Sequence, residues 1–294
     1  MKPASFEYYA PNTIEEALSQ LAQHGYDAKP LAGGQSLIPM MNFRLAQPSV
    51  LVDLNNISDL SFIRPDENGG LLIGAMTRHV QVERDRLVAE RAPLIHETMP
   101  KIATPQIRSR GTFGGSISHA DPSAELVAES VLLGSRFHLR SQAGEQWIPA
   151  EDFFVGIYTT KAEPDELLTE IAIPPFPPRS GWALKEVSRR PHDFALVGVA
   201  VLVSLDQDGR CNSARIGLFS VGDGPVEADK AAEALIGQVP SAEAVRAAAE
   251  IASTKDIDPS SDIHATTAYR RHLARTLTQR ALETAFERAR GSLN

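Results

Sequence analysis

The sequence is poor in cysteine. Its 294 residues include a single cysteine, Cys211. One thiol excludes an internal disulfide, and it also excludes a self-contained iron–sulfur cluster, which takes about four thiolates. Any redox chemistry of this chain therefore requires an organic cofactor or a metal centre that a partner holds.

Basic residues and long apolar runs are also scarce. The formal charge of −8 argues against a general nucleic-acid binder, which needs a basic face. The longest apolar run, Phe194 to Val203, is about half of the roughly 20 residues that span a bilayer, and the N-terminus has no apolar signal-peptide core. We therefore expect a cytoplasmic protein with no integral membrane segment and no nucleic-acid partner.

The chain is long enough for about two domains with buried cores. Near the N-terminus, Asn12-Thr13 predicts the start of a helix whose apolar residues recur at helical spacing as far as Leu21, and Gly25 predicts its end. Short strands are predicted at 29–32 and 50–54. This alternation of strand and helix favours an α/β layer arrangement.

A second unit is predicted between Ile57 and Pro174. Its elements are a strand at 70–76, a polar helix over 77–91, a helix over 93–102, a loop rich in glycine and threonine, a helix or strand at 126–133, and strands at 136–140 and 166–174. Four prolines in Pro174–Pro178 cannot lie inside a helix or a central strand, so we expect a domain boundary there.

Beyond this linker the pattern changes. Two strand-like runs, 195–205 and 213–221, flank an Asp208-Gly209 hairpin signal, and helices are predicted at 228–235, 242–252 and 266–290. The order predicts a small α+β domain. In the last helix, arginines at 270, 271, 275 and 280 fall outside the apolar stripe, which is typical of a solvated face; a partner-docking surface is the alternative.

Two glycine-rich stretches are the candidate binding motifs. The first is Leu31-Ala-Gly-Gly-Gln-Ser-Leu-Ile38, where paired glycines allow a sharp turn and close approach of backbone N–H groups to an anion. The second is Gly111-Thr-Phe-Gly-Gly-Ser-Ile-Ser-His-Ala-Asp-Pro122, with Glu125 beyond it. Each alone also fits a plain turn. Two such loops, about eighty residues apart, together suit a ligand with two phosphates and a sugar chain.

The sequence has no motif for a metal site or for a serine nucleophile. The histidines at 79, 96, 119 and 192 are scattered, whereas a mononuclear zinc site needs about three convergent ligands. No serine lies in a Gly-x-Ser-x-Gly elbow. We expect neither a metal ligand nor a catalytic residue on this chain.

The motifs taken together resemble those of the flavin-binding medium subunits of the molybdenum hydroxylases, the group of carbon monoxide dehydrogenase, xanthine dehydrogenase and their N-heterocycle-oxidising relatives. The resemblance covers essentially the whole chain. It is carried by Phe6–Pro11, Ala32–Met41, Gln106–Ser116, His119–Pro122 and Lys185–Arg190.

The resemblance implies an α+β fold in three segments. A two-part FAD-binding domain of the vanillyl-alcohol-oxidase type would comprise residues 1–56 and 57–176. A small α+β C-terminal domain, residues 177–294, would cover the flavin.

The resemblance also implies the residues that bind FAD. Those expected to hold the pyrophosphate through backbone N–H groups are Leu31, Ala32, Gly33, Gly34, Gln35, Ser36 and Leu37. Those expected on the other side of the diphosphate and along the ribityl chain are Thr112, Gly114, Gly115 and Ser116, with Ser118 and Asp121 as further cofactor-binding positions. Glu125 fills a position that is usually Asp in relatives, where the carboxylate bonds FAD hydroxyls. Leu168 and Lys185 match positions near the isoalloxazine ring. Phe194 matches an aromatic residue that some relatives place over this ring, and Ile102 matches an apolar residue that contacts the cofactor.

The function implied is electron transfer within a heterotrimeric molybdenum hydroxylase. A small iron–sulfur subunit would supply electrons from a [2Fe–2S] cluster, a large subunit would hold the molybdenum cofactor and the substrate, and two heterotrimers would form a dimer. The single cysteine argues against the benzoyl-CoA reductase branch, whose flavin subunit holds a cluster of its own. The alternatives are a self-sufficient FAD oxidoreductase on the same fold and a flavin-free assembly subunit.

Overall fold

The computed structural model describes residues 2–291. The described residues exclude Met1, at the outer end of the first predicted domain, and residues 292–294, at the outer end of the last. The described chain is a mixture of helices and β-sheets, which confirms the predicted α+β class. The predicted domain boundaries stay predictions, although the proline-rich stretch does form the connection between the last strand of the second unit and the first strand of the third.

The N-terminal unit is a three-stranded parallel sheet with one long helix. Its elements are β1 (Glu7–Tyr9), α1 (Ile14–His24), β2 (Ala28–Leu31), α2 (Leu37–Asn42) and β3 (Val50–Asp53), and the strand order is β1-β3-β2. Helix α1 begins as predicted, because the Thr13 hydroxyl accepts the N–H of Glu16, and it ends at Gly25. Strands β2 and β3 are parallel, so the segments that follow them leave the same edge of the sheet.

The second unit is a five-stranded antiparallel sheet, order β4-β5-β10-β6-β7, packed against short helices. Its strands are β4 (Ile63–Pro65), β5 (Leu71–Gly74), β6 (Arg136–Arg140), β7 (Glu145–Pro149), the hairpin β8 (Phe154–Gly156) and β9 (Thr159–Thr160), and β10 (Leu167–Ile173). Its helices are α3 (His79–Arg84), α4 (Arg86–Arg91), α5 (Pro93–Thr98), α6 (Pro105–Arg108), α7 (Phe113–His119), α8 (Glu125–Leu132) and α9 (Ala150–Phe153). The buried cluster that fills this unit includes Phe113, Leu126 and Phe137.

One predicted helix of this unit is wrong. The stretch 77–91 forms two helices, α3 and α4, because the Asp85 carboxylate accepts the N–H groups of Leu87 and Val88 and so starts a new helix. The predicted helix over 93–102 is α5 followed by a 3-10 turn, Met99–Lys101. Residues 126–133, left open between helix and strand, belong to helix α8 and its C-terminal end.

The C-terminal unit is a four-stranded antiparallel sheet, β11 (Ser180–Ser188), β12 (Ala195–Leu205), β13 (Cys211–Phe219) and β14 (Val226–Glu227), with helices α10 (Asp229–Glu233), α11 (Ala242–Ile251) and α12 (Thr267–Gly291). One face of the sheet packs against α12. The other face carries Leu184, Ala200 and Leu202 into the core of the second unit. This sheet therefore closes over the second unit.

One prediction for the C-terminal unit is wrong, and one long strand was missed. The strand β11 was not predicted, because its central residues Lys185-Glu-Val-Ser do not alternate cleanly between apolar and polar. Arg270 does not lie on a solvated face. It is 8% exposed, and its guanidinium donates to the carbonyls of Leu196 and Ser220 and to the Asp262 carboxylate.

Candidate cofactor-binding site

The first glycine-rich segment, residues 31–37, follows β2 and turns into α2. Gly34 has a φ of +72°, a left-handed conformation that favours glycine. Among residues 2–291, no acceptor pairs with the backbone N–H groups of Gly33, Gly34, Gln35 and Ser36. Successive free N–H groups in a turn form a concavity that binds anions.

The second glycine-rich segment, residues 111–116, is not the loop that its composition predicts. Thr112 caps helix α7 by accepting the N–H of Gly115 at 3.1 Å, and both glycines lie in the first turn. The N–H groups of this turn are occupied: Gly114 donates to the Ala75 carbonyl at 2.9 Å and Ser116 to the Thr112 carbonyl at 3.1 Å. The second segment is therefore a rigid support rather than a set of free donors.

The structure brings the two segments into direct contact. A Cβ on Gly33 would lie 2.3 Å from the Arg110 carbonyl oxygen and 2.8 Å from the Gly111 Cα. A Cβ on Gly115 would lie 2.6 Å from the Thr112 hydroxyl and 3.4 Å from the Ala32 Cβ. Glycine is required at Gly33 by this close approach of two backbones.

A cavity of about 370 Å³ opens beside the first segment. Its lining residues are Leu31, Ala32, Gly33, Gly34, Gln35, Ile38, Pro39, Asn42, Asp53, Asn55 and Arg110. The free N–H groups of the segment, together with Arg110 in the lining, suit an anionic ligand that approaches the backbone closely. A diphosphate of FAD fits this donor set.

Six residues of this cavity were not among the predicted site residues: Ile38, Pro39, Asn42, Asp53, Asn55 and Arg110. A signal existed for Asp53 and Asn55, because Asp53 ends β3 and Asn55 lies two residues beyond it, and the carboxyl end of β3 shares an edge with that of β2. Ligands of open α/β sheets bind outside the carboxyl ends of strands. Arg110 belongs to the stretch Gln106–Ser116 but received no role of its own.

Glu125 lies apart from this cavity, where the second unit meets the C-terminal sheet. It opens helix α8, and its pKa is raised to about 7, mainly by burial; the carboxylates of Glu186 and Asp121 also raise it, whereas a hydrogen bond from its own backbone N–H and the charge of Lys101 lower it. The adjacent Ile102 is nearly buried and packs in the core of the second unit. Protonation of Glu125 would let it donate as well as accept hydrogen bonds near neutral pH.

Glu129, one turn further along α8, was not singled out from the sequence. It is 0% exposed and accepts a hydrogen bond from the Thr98 hydroxyl, whereas its Oε2 has no partner within residues 2–291. Burial raises its pKa to about 8, and the carboxylates of Glu125 and Glu186 raise it as well. The signal in the sequence was one acidic residue within the apolar run 126–133.

The remaining predicted positions do not line the cavity of the first segment. Leu168 is buried in β10. Lys185 is half-buried in β11 opposite Val199, on the opposite face of the sheet from Glu186. Phe194 is 70% exposed just before β12.

Ser118 and Asp121 lie at and just beyond the end of α7. Ser118 is exposed. Asp121 is nearly buried, and its carboxylate accepts the N–H of Ser123 at 2.8 Å and faces the Tyr158 hydroxyl at 3.5 Å. The ring of Tyr158 stacks on His119 with centroids 4.9 Å apart.

The cavity has the donor set of a site for an anionic, nucleotide-like ligand, and the C-terminal sheet packs on the second unit. Comparison with known families specifies the class further. Residues 4–176 match the FAD binding domain in molybdopterin dehydrogenase, and residues 182–285 match the CO dehydrogenase flavoprotein C-terminal domain. The chain therefore belongs to the family of FAD-binding medium subunits of molybdenum hydroxylases, and it is an oxidoreductase subunit.

Individual relatives match along the full chain. The chain is 39% identical over 290 residues to the 6-hydroxypseudooxynicotine dehydrogenase complex subunit alpha of Paenarthrobacter nicotinovorans, covering 99% of this chain and 97% of the relative. It is 40% identical over 291 residues to the carbon monoxide dehydrogenase medium chain of Afipia carboxidovorans, covering 99% and 100%. Carbon monoxide dehydrogenase from Hydrogenophaga pseudoflava superposes with a TM-score of 0.94 at 39% identity, covering 98% and 99%.

The family settles the cofactor class, FAD, which agrees with the donor set of the cavity. Within residues 2–291, no helix is long and apolar enough to span a membrane.

Proposed function

We propose that this chain carries electrons from a [2Fe–2S] cluster on a small partner subunit to a terminal acceptor, through FAD that it binds itself. The observation that carries the proposal is the first glycine-rich segment: the N–H groups of residues 33–36 are unpaired within residues 2–291, and Gly33, Gly34 and Gln35 line a cavity that Arg110 also lines. Bound FAD supplies the exchange between single-electron and two-electron chemistry. The protein supplies diphosphate binding, orientation and exclusion of water.

The source of the electrons is proposed to lie on another chain, because this chain does not offer ligands for a cluster. Its one cysteine, Cys211, is 2% exposed in β13, and burial raises the pKa of the thiol to about 11. A neutral, buried thiol does not ligate iron. We propose a small iron–sulfur subunit and a large molybdenum-cofactor subunit as partners, assembled as a dimer of heterotrimers in the cytoplasm.

The relatives support a subunit role rather than a particular substrate. The two relatives described above are named for different substrates, 6-hydroxypseudooxynicotine and carbon monoxide, yet each matches this chain over its whole length. We infer that the substrate is chosen by the large subunit, so this chain leaves both the substrate and the acceptor open.

The test is reduction of the isolated full-length chain. We expect it to take up FAD and to stay oxidised with candidate hydroxylase substrates until the iron–sulfur and molybdenum subunits are added. Flavin absorbance near its visible maximum, recorded anaerobically, follows the reaction. Rapid bleaching by a small substrate without partners would instead identify a self-sufficient oxidoreductase, and failure to take up FAD would identify a flavin-free subunit.

A further inference from the structure

The side chain of Arg78 connects the two glycine-rich segments. Its guanidinium donates one hydrogen bond to the Arg110 carbonyl, which leads into the second segment, and another to the side-chain oxygen of Asn55. Asn55 in turn donates to the Ala32 carbonyl at 3.0 Å, in the first segment. A continuous chain of hydrogen bonds thus runs from one segment to the other.

The backbone around Arg78 is fixed to the second segment and to its own helix, α3. Arg78 pairs with Thr112 in an isolated antiparallel bridge, the N–H of His79 donates to the Gly111 carbonyl at 2.9 Å, and that of Phe113 donates to the Thr77 carbonyl at 2.9 Å. The Arg78 N–H donates to Gln81 Oε1 at 2.7 Å. Only the side chain of Arg78 reaches toward the first segment.

Asn55 is fixed from the opposite side. Its backbone N–H donates to the Asp53 carboxylate at 2.9 Å, and Asp53 ends β3. The amide group of Asn55 is thereby oriented with its oxygen toward Arg78 and its nitrogen toward Ala32. Arg78 precedes α3 and Asn55 follows β3, so both residues of this hydrogen-bonded connection are held by regular structure. The fold therefore fixes the distance that the connection spans.

The chemistry of this position requires arginine. A guanidinium is a planar fork that donates along two fixed directions at once, whereas a lysine ammonium is a point charge on a flexible stem. Arg78 does not line the cavity, although Asn55 and Arg110 do. Burial and the nearby Arg110 lower the pKa of Arg78 from its ordinary value, but a guanidinium remains charged in proteins.

We propose that Arg78 is a positioning residue, which through Asn55 and the Arg110 carbonyl holds the first glycine-rich segment against the second so that its free N–H groups face the cofactor diphosphate. The proposal rests on FAD binding at this cavity. The second segment has few free donors of its own, so the placement of the first segment decides how well the diphosphate is bound. Preorganised donors bind more tightly than donors that must be ordered on binding.

The test is a double-mutant cycle on the full-length chain stripped of flavin. Arg78→Met and Asn55→Ala should each weaken FAD binding about tenfold to a hundredfold, the range for losing a hydrogen bond to a charged group. Because both act through one connection, the double variant should bind no more weakly than the weaker single variant. Flavin fluorescence quenching measures the dissociation constants.

Arg78→Lys separates positioning from charge. It keeps the positive charge but not the fork, so we expect the same loss as in Arg78→Met. Wild-type affinity in Arg78→Lys, or additive losses in the double variant, would overturn the proposal in favour of a direct charge contact. Arg64→Met is the matched control: Arg64 pairs with Glu170 at 3.1 Å in the same unit, away from both segments, and its loss should leave FAD affinity unchanged.

Hydrogen exchange of the flavin-free chain provides a readout that does not depend on FAD. The amides of residues 38–42, whose helix is set by the first segment, should exchange faster in Arg78→Met and Asn55→Ala, while those of β5 and β10 keep wild-type protection. Unchanged exchange in 38–42 would contradict the proposal, and faster exchange everywhere would show a general loss of stability and overturn it too. If the wild-type chain does not bind FAD at all, the proposed function fails, but this exchange test of the connection still stands.

Discussion

The two ends of the proposed cofactor site differ in the chemical groups that form them. At the cavity of residues 31–39, small residues expose backbone N–H groups, and two arginines, Arg78 and Arg110, lie beside them. Where the second unit meets the C-terminal sheet, three glutamates gather instead, Glu125, Glu129 and Glu186, with Lys101 as the cation that acts on all three. The cavity end is polar and has two arginines beside a single carboxylate, Asp53, whereas the other end is acidic and buried.

If FAD binds as proposed, the difference follows from the charge that each end accommodates. A diphosphate is permanently anionic, so fixed dipoles and cations stabilise it at any physiological pH. Buried carboxyls that are close together cannot all ionise, and their raised pKa values keep some of them neutral near pH 7. The cavity end therefore depends on backbone shape, whereas the acidic end depends on pH. Each end can be altered separately.

The largest effect is expected from Gly33→Ala. The new Cβ would lie 2.3 Å from the Arg110 carbonyl oxygen, which is backbone and cannot rotate away, so the two glycine-rich segments must separate. We expect FAD affinity to fall at least a hundredfold, about 3 kcal/mol. Titration of the flavin-free chain with FAD measures it. Gly224→Ala, where no heavy atom lies within 4 Å of the new Cβ, is the control. Near-wild-type affinity in Gly33→Ala would show that the contact between the segments is not needed for binding.

The next effect concerns the acidic end and its pH dependence. The pKa of Glu129 is about 8 in the folded chain against an ordinary value of 4.5, so the folded state binds the proton more tightly than the unfolded state. This contribution to stability is fully present below about pH 4.5 and is lost as the pH rises toward 8.

Glu129→Gln removes this pH dependence while keeping an acceptor for the Thr98 hydroxyl. We expect the stability of the variant relative to wild type to rise by about 2 to 3 kcal/mol between pH 5 and pH 7, at about 1.4 kcal/mol per pH unit. Urea unfolding at several pH values measures the difference. The exposed Glu90→Gln, which alters only a surface pair with Arg86, should follow the wild-type profile. Parallel profiles for Glu129→Gln and wild type would mean that Glu129 is ionised in the folded chain.

Local signals in the sequence predicted much of the fold. Helix α1 has its cap at Thr13 and its end at Gly25, and both are side-chain or backbone properties of a few neighbouring residues. Some errors arose where one residue interrupts a helical pattern, as Asp85 does by starting α4. Others arose where contacts between distant parts of the chain determine the environment of a residue. Arg270 looks like a surface residue by its spacing, but backbone carbonyls at the ends of β12 and β13 bind it.

In the candidate site, too, features that depend on neighbouring residues were predicted, and features that depend on distant residues were not. The first glycine-rich segment was recognisable because its turn depends on adjacent glycines, such as Gly34 with its positive φ. The connection through Asn55 and Arg78 was not, since it joins residues from three separate stretches of chain. The pKa of Glu129 depends on packing by β11 and α5, which no local pattern encodes.

The smallest effect is expected from Gly34→Ala, which tests mainly conformation at the cavity end, because the new Cβ would meet only side chains, Ile38 Cγ1 at 3.1 Å and Leu31 Cδ1 at 3.3 Å. Gly34 has a φ of +72°, and an alanine there costs about 1 to 2 kcal/mol in the left-handed region. Part of that strain is relieved if the turn reorients its free N–H groups, so we expect FAD affinity to fall about tenfold, well short of the loss in Gly33→Ala.

Gly209→Ala in the β12–β13 hairpin is a matched control, with a φ of +75° and no atom within 4 Å of the new Cβ. It should lose similar stability but no FAD affinity. Equal FAD affinities in Gly34→Ala and Gly209→Ala would show that the direction of the first segment's N–H groups does not matter. The contact at Gly33 alone would then explain the requirement for paired glycines.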